Sequence, residues 1–588
     1  MNNRRIVFEL NGSPFPIKRI IGESFQVQAV VFCDGHESLY SSVLFRHENE
    51  RHFQRVELTE DGNDVWTGVF PLEKVGRYSY CIEAGIVESA GVDKAAGSAE
   101  SKSLSRSKPL QIIDVDPPLA QFSTWYEFFP RSTFRFSGEF PGELSCEQPG
   151  QHGTFRDCEK KLEYVASLGF DVVYFPPIHP IGKTHRKGKN NTTKCEPGDV
   201  GSPWAIGGEA GGFRDIHPQL GTFDDFDRLL LKARRLGLEI ALDLAFQASP
   251  DHPYVQQHPE WFLRRPDGSI CCAENPPKKY EDIYPFNFEG PHAKALWEEL
   301  KSVVLFWVEK GIRVFRVDNP HTKPFRFWKW LIREVKKYCP EVIFLAEAFT
   351  RPHPMKYLAK IGFNQSYTYF TWRNTKAELT EYLTELTQTG LIEFFRPNFW
   401  PNTPDILPGI LQTGGRAAFI QRLVLAATLS STYGIYGPAF EVCENRSKEV
   451  AEGLEPSEEY LHSEKYELKN WDLKSPGSLA PILRQVNQIR KENSALWKNH
   501  SLQFHPISNE KLIAYSKEKA NSRILTIVNL DPHQKQSGTL ELSLCHRVRD
   551  LFLLEESFWK GDFHPIEIDP SEFPARIYKL IPSGGGAK

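Results

Sequence analysis

Apolar and polar residues alternate in short runs over roughly the first 115 positions, as in Phe25-Gln26-Val27-Gln28-Ala29-Val30-Val31-Phe32 and Tyr78-Ser79-Tyr80-Cys81-Ile82. A period of two residues is that of a half-buried strand. Turn signals such as Asp61-Gly62-Asn63-Asp64 and Val75-Gly76 separate the runs. Residues 1–115 are therefore expected to fold as a β-sandwich. No carboxylate or histidine constellation falls there, so a scaffold or partner-contact role is expected. Residues 89–108, rich in Ser, Ala, Gly and Lys, read as a flexible loop. Asp116-Pro117-Pro118 reads as a domain boundary.

Between 117 and 495 the pattern changes to strand followed by helix, which predicts a parallel sheet. One unit is the helical stretch Lys161–Gly169, with glycine as its stop, followed by the strand Asp171–Phe175. Another is Phe226–Gly237 followed by Glu239–Leu244. Closing these units gives the fold class α/β, with a (β/α)₈ barrel as catalytic domain. Residues 178–214 carry little apolar periodicity and are too long for an ordinary connection, so they are expected to form an insertion over one face. After 496 strand signals return, at Lys511–Tyr515 and Arg523–Val528. The expected flanks of the barrel are thus an N-terminal β-sandwich and a C-terminal β domain (496–588).

Several barrel strands end on polar residues. The run Gly311–Asp318 closes on Arg316-Val317-Asp318, and Glu341–Glu347 closes a second apolar strand on a carboxylate. In a β/α barrel the C-terminal strand ends form the reaction face. Two carboxylates on neighbouring strand tips suit a retaining glycosidase-type mechanism, whose acid and nucleophile stand ~5–5.5 Å apart. Arg316 is placed to pair with Asp318. Asp243, at the end of another strand, and Asp405, in Asn402-Thr403-Pro404-Asp405, extend the set.

Composition narrows the choice further. A net charge of −4 with a pI near 6.5 gives no electrostatic case for nucleic acid or for an anionic membrane. No apolar window approaches ~18 residues, the length of a membrane span. The ten cysteines include one adjacent pair, Cys271-Cys272, and no Cys-x-x-Cys, so neither a zinc site nor a disulfide scaffold is suggested. Their unpatterned use points to a reducing, cytoplasmic location. No residue set argues for a metal or an organic cofactor. Aromatics reach 13% of the chain, enough to offer flat apolar faces to sugars as well as to fill a large core.

The order of Asp243, Arg316 with Asp318, Glu347 and Asp405 resembles the four motifs of the α-amylase superfamily. Two departures are specific. Where amylases have Asn-His after the first motif, this chain has Gln247-Ala248, and Pro404 stands where a histidine precedes the last aspartate. These departures, with the segments Arg186–Asn191, Gln247–Pro253, Glu274–Pro285, Val317–Pro324, Asn402–Asp405 and Ser463–Tyr466, resemble one branch, the α-1,4-glucan:maltose-1-phosphate maltosyltransferases.

The resemblance implies Asp318 as nucleophile, Glu347 as acid/base and Asp405 as transition-state stabiliser. It implies contacts to maltosyl phosphate from Lys187, Gln247, Asp282, Asn319, Lys465 and Tyr466, with Asn275, Lys278 and Tyr280 near the phosphate. It further implies α-maltose 1-phosphate and an α-1,4-glucan (glycogen or maltodextrin) as substrates, and a homodimer. The competing expectations are an α-amylase-type maltodextrin hydrolase and a catalytically silent glucan-binding scaffold. Phosphorolysis would be the same reaction run backwards.

Overall fold

The computed structural model describes residues 6–9, 15–35, 37–86, 104–133, 151–275, 278–450 and 457–582. The side chains of Asn275 and Lys278 and most of the 89–108 stretch fall outside the described residues. Residues Met1–Ala120, together with Lys336–Glu341, make one compact unit, and the rest of the chain a second.

In the first unit, strand Ser24–Cys33 buries alternate residues, as its two-residue period requires. It pairs antiparallel with Val65–Pro71 in a four-stranded sheet. A six-stranded sheet is built around Leu39–His47 and Gly76–Ile86. Phe25, Val27 and Phe70 from one sheet and Phe45, Tyr80 and Ile113 from the other share a core, which is the packing of a sandwich.

The second unit contains eight parallel strands, β1 (Ser123–Glu127), β2 (Val172–Phe175), β3 (Glu239–Leu244), β4 (Val314–Val317), β5 (Ile343–Ala346), β6 (Gln365–Ser366), β7 (Asn398–Phe399) and β8 (Thr432–Tyr436). They pair in the order β6-β5-β4-β3-β2-β1-β8-β7. A single parallel bridge, Ser366↔Pro397, joins the two ends of that order into a ring. Each strand is followed by a helix: α1 (Phe155–Ser167), α2 (Phe223–Arg235), α3 (Ala293–Glu309), α4 (Phe325–Tyr338), α5 (Pro352–Ile361), α6 (Lys376–Gln388), α7 (Gly415–Leu429) and α8 (Ala480–Glu492).

Local chemistry explains the boundaries. Thr154, Thr222 and Thr375 each form a capping box with the acidic residue three positions on, satisfying otherwise orphaned amides at the starts of α1, α2 and α6. Gly169 and Gly237 adopt positive φ beyond the ends of α1 and α2, the left-handed stop that glycine takes without a Cβ penalty. Gln365 crosses the barrel interior. Its Nε2 donates to Ser123 Oγ at 3.2 Å and its Oε1 accepts from Asn398 Nδ2 at 2.9 Å, tying β1, β6 and β7 together.

The C-terminal sheet has six antiparallel strands from Gln503–His505 to Ala575–Pro582. It is fastened to the barrel by polar contacts as well as packing. Gln421 donates to the Asn529 carbonyl at 2.8 Å, Thr428 and Tyr515 share a hydrogen bond of 2.7 Å, and Lys376 reaches the Ile507 carbonyl at 2.9 Å. No helix of the described residues is long and apolar enough to cross a membrane.

Candidate active site

The chain leaves β4 at Val317 and delivers Asp318 and Asn319 onto the C-terminal rim. Arg316, the last inward residue of β4, lies 5% exposed beneath them. Its guanidinium serves three carboxylates. Nη1 lies 2.8 Å from Asp243 Oδ2 and 2.9 Å from Asp318 Oδ1, and Nη2 lies 3.0 Å from Glu347 Oε1. The planar fork of arginine suits this shared, charge-assisted geometry.

Asn319 takes a left-handed conformation, φ 41° and ψ 56°. That turn aims its backbone N–H at Glu347 Oε2, 3.1 Å away, so one peptide group links the carboxylate sites of β4 and β5. Lys323, buried in the following turn, donates to the carbonyls of Asp318 and Asn319 at 3.3 Å each.

Asp243 faces inward from β3, 2% exposed. Its Oδ2 also accepts from Tyr174 of β2 at 2.7 Å and from Trp204 Nε1 at 3.0 Å. Burial pushes Asp243 up to about 6 against the pull of Arg316. Burial likewise pushes Glu347 up to about 8, with Arg316 opposing and Asp318 and Asp405 adding to the rise. Desolvation and neighbouring negative charge both favour the neutral acid. Glu127, at the tip of β1, is raised well above the carboxylate range, again chiefly by burial.

Above this layer opens a cavity of about 1010 Å³. Asp318, Glu347, Asp405, Lys187, Gln247, Asp282, Asn319, Tyr280, Lys465 and Tyr466 all line it. Arg316 lies beneath. Asn275 and Lys278 belong to the hairpin Ala273–Asn275/Lys278–Tyr280, paired antiparallel beside the cavity.

The walls come from loops. The 178–214 segment contributes Lys187, Ser202 and Trp204. Lys187 is 4% exposed and pairs with Glu281 at 2.8 Å. Neighbouring Asp282 is as buried, and its Oδ1 has no partner among the described residues. Lys465, on a loop after β8, lies 2.7 Å from Asp405 Oδ1 and 4.8 Å above the Trp204 ring.

Those loops are themselves held down. Arg131, 4% exposed after β1, donates to the carbonyls of Gly201 at 2.9 Å, Glu464 at 2.8 Å and Lys465 at 2.9 Å. The Glu464 carboxylate accepts from Tyr436 of β8 and, at 3.2 Å, from Trp471. Sequence reasoning did not single out Tyr174, Trp204, Arg131 or Glu464. A tyrosine near the tip of an apolar strand was a usable signal for Tyr174. Glu464 lies within the Ser463–Tyr466 segment that carried the resemblance, whereas Arg131 and Trp204 have no local pattern.

Among the described residues no group of three or more His, Cys, Asp or Glu side chains is arranged to hold a metal ion. The centre sets three carboxylates on one guanidinium, below an open cavity lined by three lysines, Lys187, Lys323 and Lys465, and the amides of Gln247 and Asn319.

Comparison with known proteins follows the same lines. Residues 5–91 match the family "Alpha-1,4-glucan:maltose-1-phosphate maltosyltransferase, domain N/S", residues 140–293 match "Alpha amylase, catalytic domain", and residues 504–580 match "GLGE, C-terminal". The α-1,4-glucan:maltose-1-phosphate maltosyltransferase of Methylacidiphilum infernorum is 43% identical, over 99% of this chain and 96% of its own. That of Chlorobaculum tepidum is 42% identical over 98% and 96%. Among solved structures, an α-amylase from Lactobacillus plantarum superimposes with a TM-score of 0.60 at 18% identity, covering 79% of this chain and 100% of its own, which speaks to the fold alone. The chain therefore belongs to the α-1,4-glucan:maltose-1-phosphate maltosyltransferase family, a branch of the α-amylase superfamily.

Proposed function

We propose that this enzyme moves maltosyl units from α-maltose 1-phosphate to the non-reducing end of α-1,4-glucans, with release of phosphate, through a covalent intermediate on Asp318. The observation that carries the proposal is the shared wall of the cavity: Lys187, Gln247 and Lys465 face the same space as Asp318, Glu347 and Asp405. A phosphorylated donor needs charge-assisted donors beside the carboxylates that perform the displacement.

In the first half-reaction Asp318 attacks the anomeric carbon from the β face and phosphate departs. Glu347 enters protonated, consistent with its raised affinity for a proton, and either protonates the leaving oxygen as the bond breaks or hydrogen-bonds it and gives the proton to the released phosphate, so that it is ionised before the acceptor arrives. In the second it takes the proton from the 4-hydroxyl of the acceptor, which attacks the glycosyl–Asp318 ester. The joint hold of Arg316 on Asp318 and Glu347 supports the short carboxyl spacing of a retaining pair, about 5–5.5 Å. Asp405 binds donor hydroxyls that tighten as the ring flattens toward the transition state. Lys187, Gln247, Asp282, Asn319, Lys465 and Tyr466 hold the maltosyl phosphate, with Asn275, Lys278 and Tyr280 toward the phosphate.

The test is phosphate release from α-maltose 1-phosphate with and without maltohexaose, with product lengths read by mass spectrometry. Products growing by two glucose units, matched by released phosphate, are expected. Shortening of maltohexaose with no use of the phosphorylated donor would identify a hydrolase and overturn the proposal.

A further inference from the structure

Two thiols stand side by side on the wall of the reaction cavity, and no step of the proposed mechanism uses them. Cys271 and Cys272 are both free and partly exposed, and both line the cavity. The segment that carries them is fixed on either side. The Cys271 amide donates to the Leu263 carbonyl and the Ala273 amide to the Ile283 carbonyl, each at 2.8 Å. Arg265 folds back over the same turn, its Nη1 donating to the Ile270 carbonyl at 3.2 Å and its Nη2 to the Cys272 sulfur at 3.5 Å. The strand Ala273–Asn275 follows directly, and its partner strand ends on Tyr280, which also lines the cavity.

We infer that this pair is a covalent modification site, at which a low-molecular-weight disulfide of the glutathione class attaches and closes the cavity to sugar. The Cys272 thiol gives its proton to solvent, and its sulfur attacks one sulfur of the disulfide. A new S–S bond forms, the old one breaks, and one thiolate leaves, so electrons balance with no further oxidant.

Three features favour this place over the other described cysteines. The first is selectivity: burial pushes the Cys158 thiol up to about 12 and that of Cys443 up to about 11, which withholds the attacking thiolate there. The second is charge. The Cys272 sulfur lies 3.5 Å from Arg265 Nη2 and 3.8 Å from Glu274 Oε1, and Arg265 can pair with a carboxylate of a peptide-like disulfide.

The third is persistence. Adjacent residues have Cα atoms ~3.8 Å apart, below the ~4.4 Å lower end for an ordinary disulfide. The neighbouring thiol is thus badly placed to expel the adduct. The attached group stays in the cavity until an external thiol removes it.

The test treats the full-length enzyme with oxidised glutathione, maps the adduct by peptide mass spectrometry and follows transfer in parallel. Expected are labelling of the pair, loss of transfer in proportion, recovery with dithiothreitol, and slower labelling when maltohexaose is present. A Cys271→Ser/Cys272→Ser double variant should transfer normally and resist the reagent, while Cys195→Ser stays as sensitive as the native chain. Inhibition that persists in the double variant, or labelling of the pair without loss of transfer, overturns the inference. The turnover assay rests on the proposed maltosyl transfer. If the untreated chain fails to use that donor, maltohexaose binding measured by calorimetry before and after labelling reads the closure instead, so the two failures stay distinguishable.

Discussion

Arg316 must balance Asp243, Asp318 and Glu347 at once, and Glu127 is buried close enough to feel the same cation. One guanidinium cannot neutralise that much negative charge, and the most desolvated groups respond by keeping a proton. Glu347, pushed up to about 8, therefore supplies an acid over the range in which its usual counterpart would be ionised. The sign follows directly: the acid form is present below about 8 and is lost as pH rises through it. The leaving phosphate asks little of that acid, so the dependence is read in the second step, where the ionised form is the base: kcat/KM for the acceptor should fall as pH drops below the range in which Glu347 ionises, and a profile that stays level there would remove Glu347 from the acid/base role.

The two half-reactions should also respond unequally to its loss. Phosphate leaves readily without a proton, whereas the acceptor hydroxyl needs a base, so Glu347→Ala should reduce transfer to glucan far more than formation of the glycosyl-enzyme. Rapid-mixing measurement of both steps decides the point. At this scale the strand-end residues were legible because an apolar run that stops on Asp or Glu is visible locally, as at Asp318 and Glu347. Tyr174 and Trp204, which hold Asp243, come from different strands and loops. Only the closed barrel brings them together.

Longer elements were read well for the same reason. The predicted strand over Glu239–Leu244 coincides with β3, since several residues in phase outweigh any single exception. β6 and β7 have two residues each and carry no period to read. The 178–214 insertion was recognisable as a departure from periodicity, but its content was not.

Its anchoring yields a prediction. Arg131 binds the carbonyl of Gly201 in that insertion and those of Glu464 and Lys465 in the loop after β8. It therefore fixes both Trp204 and the lysine stacked on it. Arg131→Ala leaves buried carbonyls unpaired, at roughly 1–3 kcal/mol each before relaxation. A lowered melting temperature is expected, with donor KM raised more than kcat is lowered. Steady-state kinetics showing an unchanged KM for the donor would mean that the two loops are positioned without it.

Across the second unit, barrel and C-terminal sheet are joined by contacts such as Gln421 to Asn529 and Thr428 to Tyr515. The ring closes through the single bridge Ser366↔Pro397. Glu347 follows β5 and Asp405 follows β7, which puts this seam between them in the order of strands. A sugar held by both carboxylates, as proposed, would then act as a suture across this seam, beside the Gln365–Asn398 hydrogen bond that also crosses it. Because a ligand that binds only the folded state stabilises it, donor binding should slow hydrogen exchange at the Ser366 amide, bonded to the Arg396 carbonyl at 3.1 Å, although Ser366 is no part of the cavity wall. The enzyme's stiffness would thus be supplied in part by what it is about to transfer.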